Sequence, residues 1–129
     1  MTHPAEQYVG RPHCPDTFDC ADLVALVQRE MFGREVRLPN GRARGAKGQI
    51  TVSRGVGAYA ARTETPRDGD LVVMFEETLR YPGHVGTWFE IDHEGWVLHS
   101  NRRDGCAVLH RVRDVAGFGA PIEGYYTWL

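Results

Sequence analysis

The strongest constraint on this chain is a helical pattern that appears early and is followed by segments suited to strands. Phe18, Asp19 and Cys20 lead into Leu23, Val24, Leu26, Val27, Met31 and Phe32, apolar positions recurring at the spacing of one helix face. With Asp19 as a cap and Gly33 as a stop, the pattern predicts a helix over 20–32. Upstream, the stretch 8–15 is punctuated by Gly10, Pro12 and Pro15 and predicts an ordered approach loop. Downstream, 71–75 is a continuous apolar run behind Asp68, Gly69 and Asp70, the pattern of a buried strand. Segments 84–91 and 96–100 flank Asp92, His93, Glu94 and Gly95 as a hairpin, and 107–112 and 124–128 predict further strands. One helix with several antiparallel strands predicts an α+β domain, the helix packed on one face of the sheet.

At 129 residues the chain has the size of a single domain, 1–129. Hydrophobic residues at 42% and charged residues at 25% match globular proteins and exclude a disordered tail. A formal net charge of −2 argues against a dedicated nucleic-acid binder. No stretch approaches the ~18 apolar residues of a membrane span, and the first residues carry no signal-peptide pattern, so the expectation is cytoplasmic synthesis without a membrane anchor. Three cysteines cannot close a disulfide framework, which suits a reducing compartment. The segment 34–67 is lopsided: eight Lys and Arg against Glu35 and Glu64 give it +6. That composition reads as a solvated connection, with a short helix near 56–61, or as a surface for anionic ligands.

Cys20 is the strongest candidate for chemistry. At a helix start, unpaired N–H groups and the positive end of the helix dipole favour a thiolate, the reactive form of cysteine. Asp19 and Asp22 oppose this with negative charge, so a histidine partner is required. His84 and His99, 15 residues apart on the predicted hairpin, share a face for any loop with an even number of residues. Pairing Ile91 with Trp96 would leave them four residues out of step, about 13 Å, too far for a hydrogen bond. Direct apposition needs Phe89 opposite Glu94, or a bulge. His93 reads as a solvated turn residue, His110 as structural, His3 as part of a frayed terminus, and Cys106 as a packed or surface thiol. Cys14 could pair reversibly with Cys20 or join His13 and Cys20 around a metal. No cysteine pair has C-x-x-C spacing, and there is no phosphate loop, dinucleotide fingerprint or H-E-x-x-H, so neither metal nor cofactor is expected.

Taken in order, Tyr8 to His13, Phe18-Asp19-Cys20-Ala21-Asp22-Leu23-Val24, Asp68-Gly69-Asp70-Leu71-Val72, His84-Val85-Gly86 and Val97-Leu98-His99-Ser100 resemble the NlpC/P60 family of papain-like cysteine peptidases. The likeness runs nearly end to end and is greatest to versions found in phage tail assembly proteins. It implies a papain-like fold with Cys20 as nucleophile, His84 as general base and His99 as the residue that orients it. A thiolate–imidazolium pair of Cys20 and His84 would attack an amide carbonyl, and His84 would protonate the leaving amine. The Cys20 N–H would serve as an oxyanion donor, with His13 and Asp22 as candidate oxyanion or substrate-binding residues. The implied substrate is the stem peptide of peptidoglycan, and the implied partners are phage tail proteins, with location in a virion tail or delivery to the cell envelope. Ala21 and Asp22 depart from the family's Ser-Gly, and the loop before Cys20 is short. Two alternatives follow: thiol acyl transfer to another amide or ester, and a tail assembly or structural protein that keeps the fold with vestigial activity.

Overall fold

The computed structural model describes residues 3–36, 60–75 and 82–129. Their elements are a 3-10 helix Pro4–Tyr8, α1 Cys20–Phe32, strands β1 Ala60–Thr63, β2 Leu71–Phe75, β3 Pro82–Ile91, β4 Glu94–Ser100 and β5 Ala107–Arg111, a 3-10 helix Val112–Phe118, and β6 Ile122–Trp128. The strands form one antiparallel sheet in the order β1-β6-β2-β3-β4-β5. The domain is therefore α+β, as its pattern predicts.

Helix α1 begins and ends where its sequence says. The Asp19 carboxylate accepts from the N–H groups of Ala21 and Asp22, and Asp22 Oδ2 accepts from the Asp19 N–H at 2.9 Å, which closes a capping box. Gly33 ends the helix in the left-handed region at φ 62°. The apolar face of α1, with Leu23, Val24, Leu26 and Val27, is buried against the sheet. Gln28, on the same face, is buried without penalty because its Nε2 donates to the Gly69 carbonyl at 2.8 Å. Trp128 Nε1 donates to that carbonyl at 2.8 Å, so one oxygen joins the helix, the turn before β2 and the last strand.

Side chains of a strand alternate between faces, and the pairings divide the core into two layers. Val73, Val85, Phe89 and Leu98 face α1, together with Ala107. Val72, Met74 and Val97 face the other way, flanked by Ile122 and Tyr125 of β6 and packed with Val115 of the second 3-10 helix and Ala120. Among the described residues, no helix is long and apolar enough to cross a membrane.

Several expectations need correction. The short helix near 56–61 is not formed over its end, because Ala60 and Ala61 pair with Trp128 and Thr127 in β1; 56–59 lie outside the described residues. Most of the basic 34–67 segment, 37–59, is likewise outside them. The fifth strand stops at Arg111, since Val112 turns into a 3-10 helix that carries Val115 into the core. The last strand starts earlier, at Ile122. His3 is not frayed: its Nδ1 caps the first 3-10 helix by accepting from the Ala5 N–H at 3.0 Å, and its ring meets Phe89 edge-on.

The hairpin register also differs from both pairings considered above. Ile91 pairs with Glu94 and Phe89 with Trp96, leaving a two-residue turn, Asp92-His93, with φ of 52° and 64°. Two consecutive left-handed residues make the tight turn whose twist suits a hairpin, and Asp and His tolerate it better than branched residues. Gly95, the apparent turn glycine, is instead in β4, where a Cβ would lie 2.8 Å from Trp88 Nε1.

Candidate active site

Cys20 is the first residue of α1, 1% exposed, in the layer that also holds Ala21, Val24, Leu71, Val73 and Val85. α1 packs against β3 and β4, the strands that carry His84 and His99.

The two histidines meet although they are not directly opposite. With Thr87 across from Leu98, one further step of the ladder sets Gly86 across from His99, so His84 and His99 are diagonal neighbours two residues out of step. Diagonal neighbours on one face are within reach of long side chains. His84 Nε2 and His99 Nδ1 are 2.7 Å apart, a hydrogen bond between rings set 72° to each other. Gly86 makes room for it: a Cβ there would lie 2.7 Å from Val97 Cγ2 and 3.0 Å from His99 Cβ. Direct apposition is therefore unnecessary.

Both rings are 1% exposed. Burial pushes His84 down to about 4, with the charge of His13 adding to the effect. Burial likewise holds His99 well below the usual histidine range, reinforced by His84 and His110. Near neutral pH both are uncharged, so one ring of the pair donates and the other accepts.

His110, read from sequence as structural, continues the same line. His99 Nε2 and His110 Nδ1 are 3.0 Å apart, and the His110 ring stacks on Phe118 at 4.2 Å and 7°. Val97 pairs with His110 and His99 with Val108, so this contact is again diagonal by two residues. The signal was available: 110 and 99 differ by 11, an odd separation like that of His84 and His99, which puts both on one face across an even loop.

His13 stands between the helix start and the sheet. Its N–H donates to the Gly105 carbonyl at 3.0 Å and its Nδ1 lies 2.8 Å from Ser100 Oγ. Burial lowers its pKa, the Asp19 carboxylate raises it and Arg102 lowers it. His13 thus feels both the residue preceding Cys20 and, through mutual repulsion, His84. Asp22 takes part in the capping box, its Oδ2 accepting from the Asp19 N–H at 2.9 Å.

Cys14, Cys20 and Cys106 form no disulfide with one another. Cys14 lies in a tight turn, where the Thr17 hydroxyl, then the backbone at Asp16 and Thr17, lower its pKa. No group of three or more His, Cys, Asp or Glu side chains among the described residues is arranged to hold a metal ion. His93 is exposed in the hairpin turn. Comparison with protein-family models, with curated proteins and with solved structures gave no match.

Proposed function

We propose that this chain is a papain-like thiol hydrolase of the NlpC/P60 kind that cleaves an amide bond in peptidoglycan stem peptides, and that it serves a phage or prophage tail. Cys20 is the nucleophile, His84 the general base and His99 its orienter. The observation that carries this reading is the 2.7 Å hydrogen bond between two fully buried imidazoles on β3 and β4, the strands on which the Cys20 helix rests.

The chemistry follows from the protonation states. Held uncharged by burial, His84 is a base ready to take the Cys20 proton as the thiolate attacks the carbonyl carbon. The cap uses the N–H groups of Ala21 and Asp22, while the Cys20 N–H, at the dipole's positive end, is the donor for the developing oxyanion. His84 then gives its proton to the leaving amine, and water releases the acyl group from sulfur. Because Cys20 is 1% exposed, a substrate carbonyl reaches the sulfur only after neighbouring side chains part.

A second reading, a tail assembly module with vestigial activity, draws on two observations. One is that burial; the other is strand alternation, which sends Val85 into the layer of Cys20 and its neighbour His84 to the side of its β2 partner Met74. Digestion of muropeptides with wild type and Cys20→Ala, followed by mass spectrometry for new amines, separates the readings. Cys20-dependent cleavage is expected. Intact muropeptides with a rapidly alkylated Cys20 would favour thiol acyl transfer to another substrate, and intact muropeptides with an inert Cys20 would favour the assembly module.

A further inference from the structure

Both nitrogens of the buried His99 ring are committed, one to His84 at 2.7 Å and the other to His110 at 3.0 Å. That is more than an orienting residue needs. Three rings on three adjacent strands, joined nitrogen to nitrogen by the same two-residue diagonal, form a continuous line from the interior to the half-buried His110. His110 also lines a cleft of about 940 Å³ with His3, Glu6, Glu90, Asp92 and Trp96, so the outer end of the line meets solvent.

We infer that His110 is the outer member of a three-histidine proton relay, through which the positive charge created at His84 is moved to the protein surface during turnover. The inference rests on the hydrolase reading for its role in catalysis, but the relay is a property of the rings themselves.

Neutral rings impose a direction. With His84 Nδ1 as the basic atom, His84 Nε2–H donates to His99 Nδ1, and His99 Nε2–H donates to His110 Nδ1. When Cys20 ionises, the S–H bond breaks and an N–H bond forms at His84 Nδ1. The His84 Nε2 proton passes to His99 Nδ1, and the His99 Nε2 proton passes to His110 Nδ1. The rings of His84 and His99 end neutral in the opposite tautomer, and His110 ends as the imidazolium. Protonation of the leaving amine reverses the two transfers between rings, and the His84 Nδ1 proton then goes to the amine nitrogen as the C–N bond breaks, so no proton is gained or lost in the acylation half-reaction.

The surroundings decide where the charge rests. His84 faces His13 and His99, and His99 lies between His84 and His110, so at either buried ring the charged form meets desolvation and further histidines. His110 is half-buried, and the carboxylates of Asp104, from the loop after β4, and Asp114, from the second 3-10 helix, offset part of its burial and the repulsion of Arg103. The outermost ring is the place in the line where a cation is opposed least.

The test separates a proton carrier from a prop. In His110→Asn the amide oxygen can still accept from His99 Nε2–H but cannot take up a proton; His110→Phe removes both capacities. Imidazole 15N NMR titration of the wild-type chain should show His84, His99 and His110 responding together to one proton uptake. In His110→Asn the response of the two remaining rings should move down by at least about one pH unit, a tenfold loss of proton affinity. Muropeptide hydrolysis should show kcat lower by about tenfold in both variants, with KM unchanged. Independent titration of the three rings, with His84 and His99 unmoved by His110→Asn, would overturn the relay even if hydrolysis is robust. Full activity in His110→Asn with loss only in His110→Phe would likewise reduce His110 to a prop. A wild type that leaves muropeptides intact while its rings titrate together would refute the hydrolase reading and leave the relay standing.

Discussion

The two faces of one sheet carry opposite chemistry. The face toward α1 is closed by Val73, Val85, Phe89 and Leu98, with Gln28 as a polar group pinned by a backbone carbonyl. The other face has an apolar patch around Val72, Met74 and Val97, and beside it the line of His84, His99 and His110. Strand alternation produces this from single residues: Val85 and Leu98 point one way, their neighbours His84 and His99 the other. The helix side holds the fold, while the histidine side holds titratable groups at a cost in stability that depends on pH. Cys20, at the leading edge of the helix, is where the two must cooperate if the chain is a hydrolase.

The widest separation between the two sides should come from Cys20→Ser and His84→Ala, which are expected to reduce muropeptide hydrolysis by about 10²–10⁴-fold. His99→Ala should reduce it by less, because on the proposed reading it acts through His84 and does not itself touch the substrate. Equal activity in all of these and wild type would break the comparison at its centre. On the helix side, Phe89→Ala should lose about 3–5 kcal/mol of stability by urea unfolding, since a fully buried ring leaves a cavity.

The histidine side should be marked by acid sensitivity. His84 is held at about 4 when folded and rises to the ordinary ~6.5 when unfolded, so the unfolded chain takes up the proton first as pH falls. Stability contributed above about pH 6.5 should drop by up to about 1.4 kcal/mol per pH unit for this histidine, levelling off below about pH 4. Urea midpoints across that window check the slope, and His84→Leu should flatten it. Smaller again is Gly86→Ala, whose Cβ would meet Val97 and the base of His99; a loss of about 1–3 kcal/mol is expected, with hydrolysis slowed more than by a helix-side change of similar cost. Asp19→Ala, which removes the helix cap, should cost about 1 kcal/mol in the same unfolding assay.

Legibility in the sequence followed the same division. The helix side was readable because Asp19, the apolar stripe and Gly33 act locally, and the buried strand 71–75 follows from its own composition. The order of strands was not readable: β6 inserts between β1 and β2, and only tertiary pairing decides that. On the histidine side, parity placed His84 and His99 on one face, but their register depended on a turn of two non-glycine residues with positive φ, while Gly95 served the Trp88 ring instead. His110 was missed because its partner lies across a second loop, although its odd separation from His99 carried the information.

The most direct test of cooperation between the two sides is the rate at which iodoacetamide alkylates Cys20 from about pH 5 to about pH 9, read by mass spectrometry. A Cys14→Ser background removes the half-buried thiol of lowered pKa, and Cys106 is the internal control. A proton shared with His84 predicts that Cys20 reacts faster than Cys106 near neutral pH and that His84→Ala abolishes the advantage. Reaction at Cys20 no faster than at Cys106, and unchanged by His84→Ala, would contradict it.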